Sequence, residues 1–317
     1  TTGIYNAWIS FDDLALANQL SFYLLIFILG LFVLENLSRK KAQYHSPAKG
    51  GFKKKSKSIL KGYKAVLAFS FCALIFFISF LFPVLQMLYW TIIFPKHLAD
   101  LNLIELFFNT TILVFLSSIV LISFAFISNY GNRLSKSKFL EILTTFSISG
   151  YAIPGIILAV AFITFISWFD NNIVTYFKLA TIKSIFIGSI IGLVVVYFIR
   201  FYSLASNGIK SGYLKISYSI DESAYLLGYS KFKTFKDIHI PYLKNSILLI
   251  GILIAIEIIK ELPITLIMRP FNFETFATQA YIYASQDLLE AAAAPSLFLI
   301  LIASFFILIT SRYILKD

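Results

Sequence analysis

Seven long apolar runs, at about 14–37, 65–94, 103–128, 142–168, 184–205, 245–267 and 294–313, alternate with polar stretches along the chain. Each approaches or exceeds the roughly 20 apolar residues that a helix needs to cross a bilayer. Lipid offers the backbone no hydrogen-bonding partner, so spans of this kind are helical. The pattern predicts an all-α polytopic transmembrane bundle, one leading helix followed by a six-helix unit. Residues 1–37 hold the leading helix, residues 38–64 a Lys-, Ser- and Gly-rich linker around Pro47, Gly50 and Gly51, and residues 65–317 the six-helix unit. Such a linker reads as a cytoplasmic segment that meets anionic membrane lipid.

With 59% apolar and 14% charged residues, the composition argues against a water-soluble domain. A net charge of +11 would suit nucleic acid, but the cations sit between the spans, which argues for no nucleic-acid partner. Arg39, Lys40, Lys41 and the lysines from Lys49 to Lys64 follow the first span, and Arg133, Lys136 and Lys138 the third. Arg200 and the lysines from Lys210 to Lys244 flank the loop after the fifth, and Arg312 and Lys316 close the chain. Only Lys96, Lys178, Lys183 and Arg269 fall on the alternate side. The positive-inside rule then predicts an outside N-terminus and a cytoplasmic C-terminus. Cys72 stands alone, and His45, His97 and His239 show no ligand spacing, so no metal or redox motif is expected. With no initiator Met and no signal-peptide pattern, the chain reads as part of a longer one.

Some punctuation has a packing reading. Gly188 and Gly192 are expected to form a small-residue face for helix contact, and Gly150, Pro154 and Gly155 to bend or open the fourth span. Thr2, Tyr5, Ala15 and Ala17 recur ungapped as Thr278, Tyr281, Ala291 and Ala293, each set leading into a terminal span, as in a transporter built from repeated halves.

The polar segment from Lys210 to Lys244 carries apolar residues at helical spacing and should fold. Ser219 and Glu222 form an S-x-x-E capping box, Gly228 suits the left-handed end of a short helix, and Ser230 caps a second helix. Phe232, Phe235 and Ile238 share one side of that second helix, which is expected to stop before Pro241. The result is an elbow of two helices, either docked on a partner or lying on the membrane surface.

In the sixth span, a rise of about 1.5 Å per residue puts Glu257 roughly 18 Å beyond Lys244, near mid-bilayer. Glu257, Lys260 and Glu261 at i, i+3 and i+4 are predicted on one face, ahead of Pro263, as either a translocation pathway or a pair that fixes packing. On the outer side, Arg269, Glu274, Asp287 and Glu290 are available to a partner or belong to a solvated loop.

Glu222-Ser223-Ala224, then Gly228, then Ile238-His239-Ile240-Pro241 resembles the EAA loop of ABC-importer permeases, with Ser223 where that family usually has Ala. Gly150-Tyr151-Ala152-Ile153-Pro154-Gly155 is similar to a G-Y-A-x-P-G run of the same family. Lys260-Glu261-Leu262-Pro263 with Leu266, Arg269, Pro270 and Phe271 resembles the K-E-L-P and R-P-F run of ferric-iron permeases, and Phe273 through Pro295 continues it. Thr1-Thr2-Gly3-Ile4-Tyr5 with Trp8 looks like the end of the first half of fused, two-half members.

The resemblance implies a multi-pass subunit of the bacterial inner membrane that pairs with a second permease half. It assigns Glu222, Ser223, Ala224, Gly228 and Pro241 to coupling with an ABC ATPase dimer, and Arg269, Glu274, Asp287 and Glu290 to meeting a periplasmic binding protein. Ferric iron, bare or chelated, is the implied substrate; thiamine, a polyamine or a phosphonate remains open within the family. An ion-coupled secondary transporter using Glu257 and Glu261 is the alternative of another class. The chain has no G-x-x-x-x-G-K-[ST] run, so ATP and Mg are expected at the partner, with no cofactor and no catalytic residue here.

Overall fold

The computed structural model describes residues 2–41, 60–135, 137–169, 172 and 186–314, and among these every regular element is helical. Most of the predicted linker, residues 42–59, lies outside the described residues, as do Lys136, Lys178, Lys183 and Lys316. The helices are α1 (Thr2–Ile9), α2 (Leu14–Lys41), α3 (Tyr63–Ile93), α4 (Pro95–Ala99), α5 (Leu103–Ser135), α6 (Lys138–Ile148) and α7 (Gly155–Phe169). They continue with α8 (Ile190–Tyr213), α9 (Tyr218–Leu226), α10 (Lys231–Ile259), α11 (Pro263–Met268), α12 (Phe276–Ser285) and α13 (Leu289–Ile314). By length and composition α2, α3, α5, α8, α10 and α13 can each cross a membrane, and the bent pair α6–α7 is apolar enough to make a seventh crossing if it is one broken span rather than a re-entrant loop.

Helix α8 is the centre of the bundle. Its Leu193, Val196, Tyr197, Phe201, Ala205 and Ile209 recur every three to four residues and are fully buried, packed against α5, α7 and α10. Helix α3 is the opposite case, with no buried residue and contact to the bundle along α13. An apolar surface of that extent belongs against lipid. Helix α2 docks on α7, where Asn18 and Thr164 exchange hydrogen bonds of 3.0 and 3.2 Å across the interface.

Two predicted features move. Gly188 lies ahead of α8 in a turn, at φ +66°, and a Cβ on Gly192 would sit 2.0 Å from the Phe186 carbonyl oxygen, so neither glycine faces another helix. The close helix contact is made in the last two turns of α8, where a Cβ on Gly208 would meet Ile250 at 2.5 Å and one on Gly212 would meet Leu243 at 2.7 Å. The helix expected to stop before Pro241 instead runs on as α10. Proline lacks an N–H and its ring crowds the preceding turn. A wider π turn at Phe235–His239 takes up that crowding two residues ahead of Pro241, and Phe77–Leu81 stands in the same relation to Pro83 in α3.

The fourth span is broken, as Gly150, Pro154 and Gly155 suggest: α6 ends in a 3-10 turn at Ser149–Ala152 and α7 leaves at 114° to it. The turn lies against α8 so closely that a Cβ on Gly150 would be 2.2 Å from the Ile199 carbonyl oxygen. Backbone cannot yield as a side-chain tip does. Gly150→Ala is therefore expected to cost about 1–3 kcal/mol and to lower the thermal midpoint in detergent. Gly131→Ala, with nothing within 4 Å of its Cβ, should leave that midpoint unchanged.

Candidate functional site

At one end of the bundle α9 and the start of α10 form the elbow. Gly228, at φ +82°, donates to the Tyr225 carbonyl at 3.0 Å, and Tyr229 reaches back to the Ala224 carbonyl at 3.0 Å, a complete Schellman close of α9. Ser230 caps α10, its Oγ accepting from the Lys233 N–H at 3.2 Å. The Ser219–Glu222 capping box does not form. Ser217 is the cap, its Oγ accepting from the Ser219 N–H at 3.3 Å, and Glu222 stands exposed a turn further on. The start of α9 is set by Arg133 of α5, which donates to the carbonyls of Ile216 at 3.1 Å and Ser217 at 3.0 Å.

Asp221, buried beneath the elbow, takes Arg133 Nε at 2.6 Å on one oxygen and His239 Nε2 at 2.7 Å on the other. Arg133 also lies over the Tyr218 ring at 4.3 Å, and the rings of Tyr130 and Tyr213 meet the His239 ring edge to face. One carboxylate thus ties α9 both to α5 and to α10. His239 is wholly buried because the π turn places it on the same face as Thr234, five residues back, and Leu243. For the same reason the predicted Phe232, Phe235 and Ile238 side is not one face: Phe235 packs on Tyr130 and Phe126, while Phe232 is 73% exposed. Of the coupling residues, Ala224 is buried, Ser223 donates to the Ser219 carbonyl at 2.8 Å, and Pro241 is exposed. Around them Leu226 and Leu227 are 89% and 78% exposed.

The second constellation lies inside the bundle. Glu257, Lys260 and Glu261 do not share a face, because α10 ends at Ile259 and the chain turns before Pro263 opens α11. Lys260 pairs with Glu257 at 2.7 Å on the exposed side. Glu261 turns inward, buried 3.5 Å from Arg200 Nε, and its Oε1 accepts from the Ile264 N–H at 3.3 Å at the start of α11. Arg200, which the charge pattern places beside a loop, stands well inside α8, whose polar side carries it with Ser203 and Asn207. A Cβ on Gly155 would lie 2.5 Å from Arg200 Nη1 and 2.6 Å from Glu261 Oε1, so the glycine makes room for the ion pair. The two helix breaks, one at 149–154 and one at 260–262, therefore meet at Arg200.

Beyond α11, Arg269 is ion-paired with Glu274, whose carboxylate also accepts from Thr278 Oγ1 at 2.8 Å, so both brace a loop. Asp287 is exposed in a left-handed turn at φ +60°, and Glu290 is half-buried in the first turn of α13. Sequence reasoning passed over Arg133, Asp221, His239 and Arg200 as site residues.

No protein-family model matches the chain. Over 320 residues it is 22% identical to the Fe(3+)-transport system permease protein FbpB 2 of Haemophilus influenzae, covering 100% of this chain and 60% of that relative. The chain thus spans about 60% of the length of this curated relative. Among solved structures it is similar to a chain of a bacterial ABC transporter involved in the import of the acidic polysaccharide alginate, with TM-score 0.61, 17% identity, and coverage of 78% of this chain and 95% of that one. It is also similar to a chain of the bacterial alginate ABC transporter in complex with an alginate pentasaccharide-bound periplasmic protein, with TM-score 0.63, 15% identity, and coverage of 78% and 93%. The chain has the fold of an ABC-importer permease, and a ferric-iron-transport permease stands among its sequence relatives.

Proposed function

We propose that this chain is a permease unit of a binding-protein-dependent ABC importer that carries ferric iron, as the ion or an anionic chelate, inward by ATP-driven alternating access. The observation that carries the reading is the elbow: a Schellman-closed helix, pinned through Asp221, whose second arm is the same helix as the sixth span. A short rigid arm continuous with a span transmits force; a surface helix on a flexible tether does not. The exposed Leu226 and Leu227, with Glu222 beside them, form the face offered to an ABC ATPase dimer. A second permease half, the ATPase and a periplasmic binding protein complete the assembly, with the elbow on the cytoplasmic side. Asp287 and Glu290 remain the residues free to meet the binding protein, and Arg200 with Glu261 replaces the Glu257–Lys260 pair as the charge site at the helix breaks.

The iron assignment rests on the ferric-iron relative and on the K-E-L-P run, whose Glu261 and Pro263 build the break. Uptake of radiolabelled ferric citrate that is lost with a Walker-lysine variant of the partner ATPase and survives an uncoupler is expected. Uptake that collapses with the uncoupler alone would support the ion-coupled alternative.

Glu222→Ala and Gly228→Pro in the full-length protein should insert normally yet lose ATPase co-purification and stimulated ATP hydrolysis, read by pull-down and phosphate release. Unchanged coupling in both would make the elbow a surface helix. At the anchor, Arg133→Met should destabilise by about 3–5 kcal/mol, because it leaves the buried Asp221 carboxylate with its His239 bond and no guanidinium. It should cost much less in an Asp221→Leu/His239→Phe background that holds no buried carboxylate. A thermal-unfolding double-mutant cycle reads the difference.

A further inference from the structure

At the end of the bundle opposite the elbow, the Tyr5 ring of α1 and the Tyr281 ring of α12 meet edge to face at 5.9 Å between centroids. These two residues are equivalent in the sequence repeat. At the same spacing that relates Thr2, Tyr5, Ala15 and Ala17 to Thr278, Tyr281, Ala291 and Ala293, Phe22, Leu25 and Ile26 match Phe298, Leu301 and Ile302. The local structures match as well. Each is a short helix, a turn holding a left-handed aspartate (Asp12 at φ 51° and Asp287 at φ 60°, one position out of register with each other), and a long apolar helix. Two similar units related by a two-fold axis exchange equivalent residues, so a residue that touches its own equivalent stands on the axis. In a transporter of two such halves the conduit lies at the interface between them.

We propose that Tyr5 and Tyr281 are the two leaves of the outer gate, meeting on the pseudo-two-fold axis and closing the conduit at the end away from the ATPase. The inference rests on the permease reading above. Both rings are half-buried, seated where Ile4 and Ala7 of α1 and Ala277 of α12 are buried. Burial, and then the neighbouring Tyr281 hydroxyl, hold the Tyr5 hydroxyl above its ordinary pKa, so Tyr5 enters the contact as a neutral phenol. Arg269, paired with Glu274, stands beside Tyr5 and braces the loop that carries α12. At the elbow end, by contrast, a cavity of about 630 Å³ opens between α5, α6 and α8, lined by Asn129, Asn132, Ser206 and Lys210. With the two rings in contact the proposed gate stands closed.

Removing the aromatic leaves from such a state should leave a pore. In proteoliposomes of the full-length protein without ATP, passive release of trapped radiolabelled mannitol is expected to rise at least tenfold for Tyr5→Ala/Tyr281→Ala and to stay at the wild-type rate for Tyr5→Phe/Tyr281→Phe. In a Cys72→Ser background, Tyr5→Cys/Tyr281→Cys should leak as the alanine pair does, stop leaking when a bifunctional thiol reagent bridges the two, and leak again after reduction. A monodisperse alanine pair that leaks no faster than wild type overturns the gate, as does a cysteine pair whose leak ignores bridging. Because mannitol release needs neither ATP nor the true substrate, it reads the gate even where ATP-driven ferric uptake by the wild type fails, which would count against the iron importer alone.

Discussion

A chain in lipid can leave the helix only where other protein covers the peptide groups that it frees, and the interior of this bundle is arranged around that constraint. Two helix breaks, one before Gly155 and one after Ile259, both abut α8 at Arg200. The guanidinium faces the Glu261 carboxylate, and that carboxylate takes the Ile264 N–H at the head of α11. Thr265 Oγ1 donates in turn to the Glu261 carbonyl at 2.6 Å. The cost of placing a charge in the membrane is met by its opposite charge and by the backbone that the break exposes. Neither break would be tolerable where the other, with Arg200, was absent.

The prolines at the two ends of the bundle are handled by another device. Pro83 and Pro241 each sit in a long helix that continues past them, and each follows a π turn by two residues. The extra residue in the turn does two jobs in α10. It relieves the ring, and it rotates His239 inward to Asp221, so the proline that ends the EAA-like run also sets the register of the buried anchor. A proline that merely stopped the helix would leave the elbow hinged to its span.

The spans, the broken fourth span and the Gly228 turn were legible in the sequence because each depends on local chemistry: apolar length, Gly and Pro, a left-handed position. The anchor was not. Asp221 looks like one more acid in the first turn of a helix and His239 like the variable position of a motif; only the fold brings His239 and Arg133, far away in sequence, to the one carboxylate. Arg200 was misplaced for a related reason. Arg200 falls inside the 184–205 apolar run, but α8 is amphipathic and a charge on its polar side reads as one of the loop cations that follow. The small-residue pairs failed differently. Gly188 with Gly192 and Gly208 with Gly212 have the same spacing, and which pair meets a neighbour depends on where α8 begins.

Helix α10 joins the two functional ends. Its 29 residues extend roughly 43 Å at about 1.5 Å per residue, with the elbow at one end and the Glu261 break at the other. Anchored through His239 at its base and packed along Gly208 and Gly212 of α8, it can tilt as a lever but cannot shorten. On the importer reading proposed above, a displacement imposed at the elbow would arrive at residues 260–262, where the helix is interrupted and where α11 leads on through Arg269 to α12 and Tyr281. On the same reading, the break would let one end of the bundle open while the other closes. An unbroken helix from Lys231 to Met268 would carry the push straight through and move both ends alike.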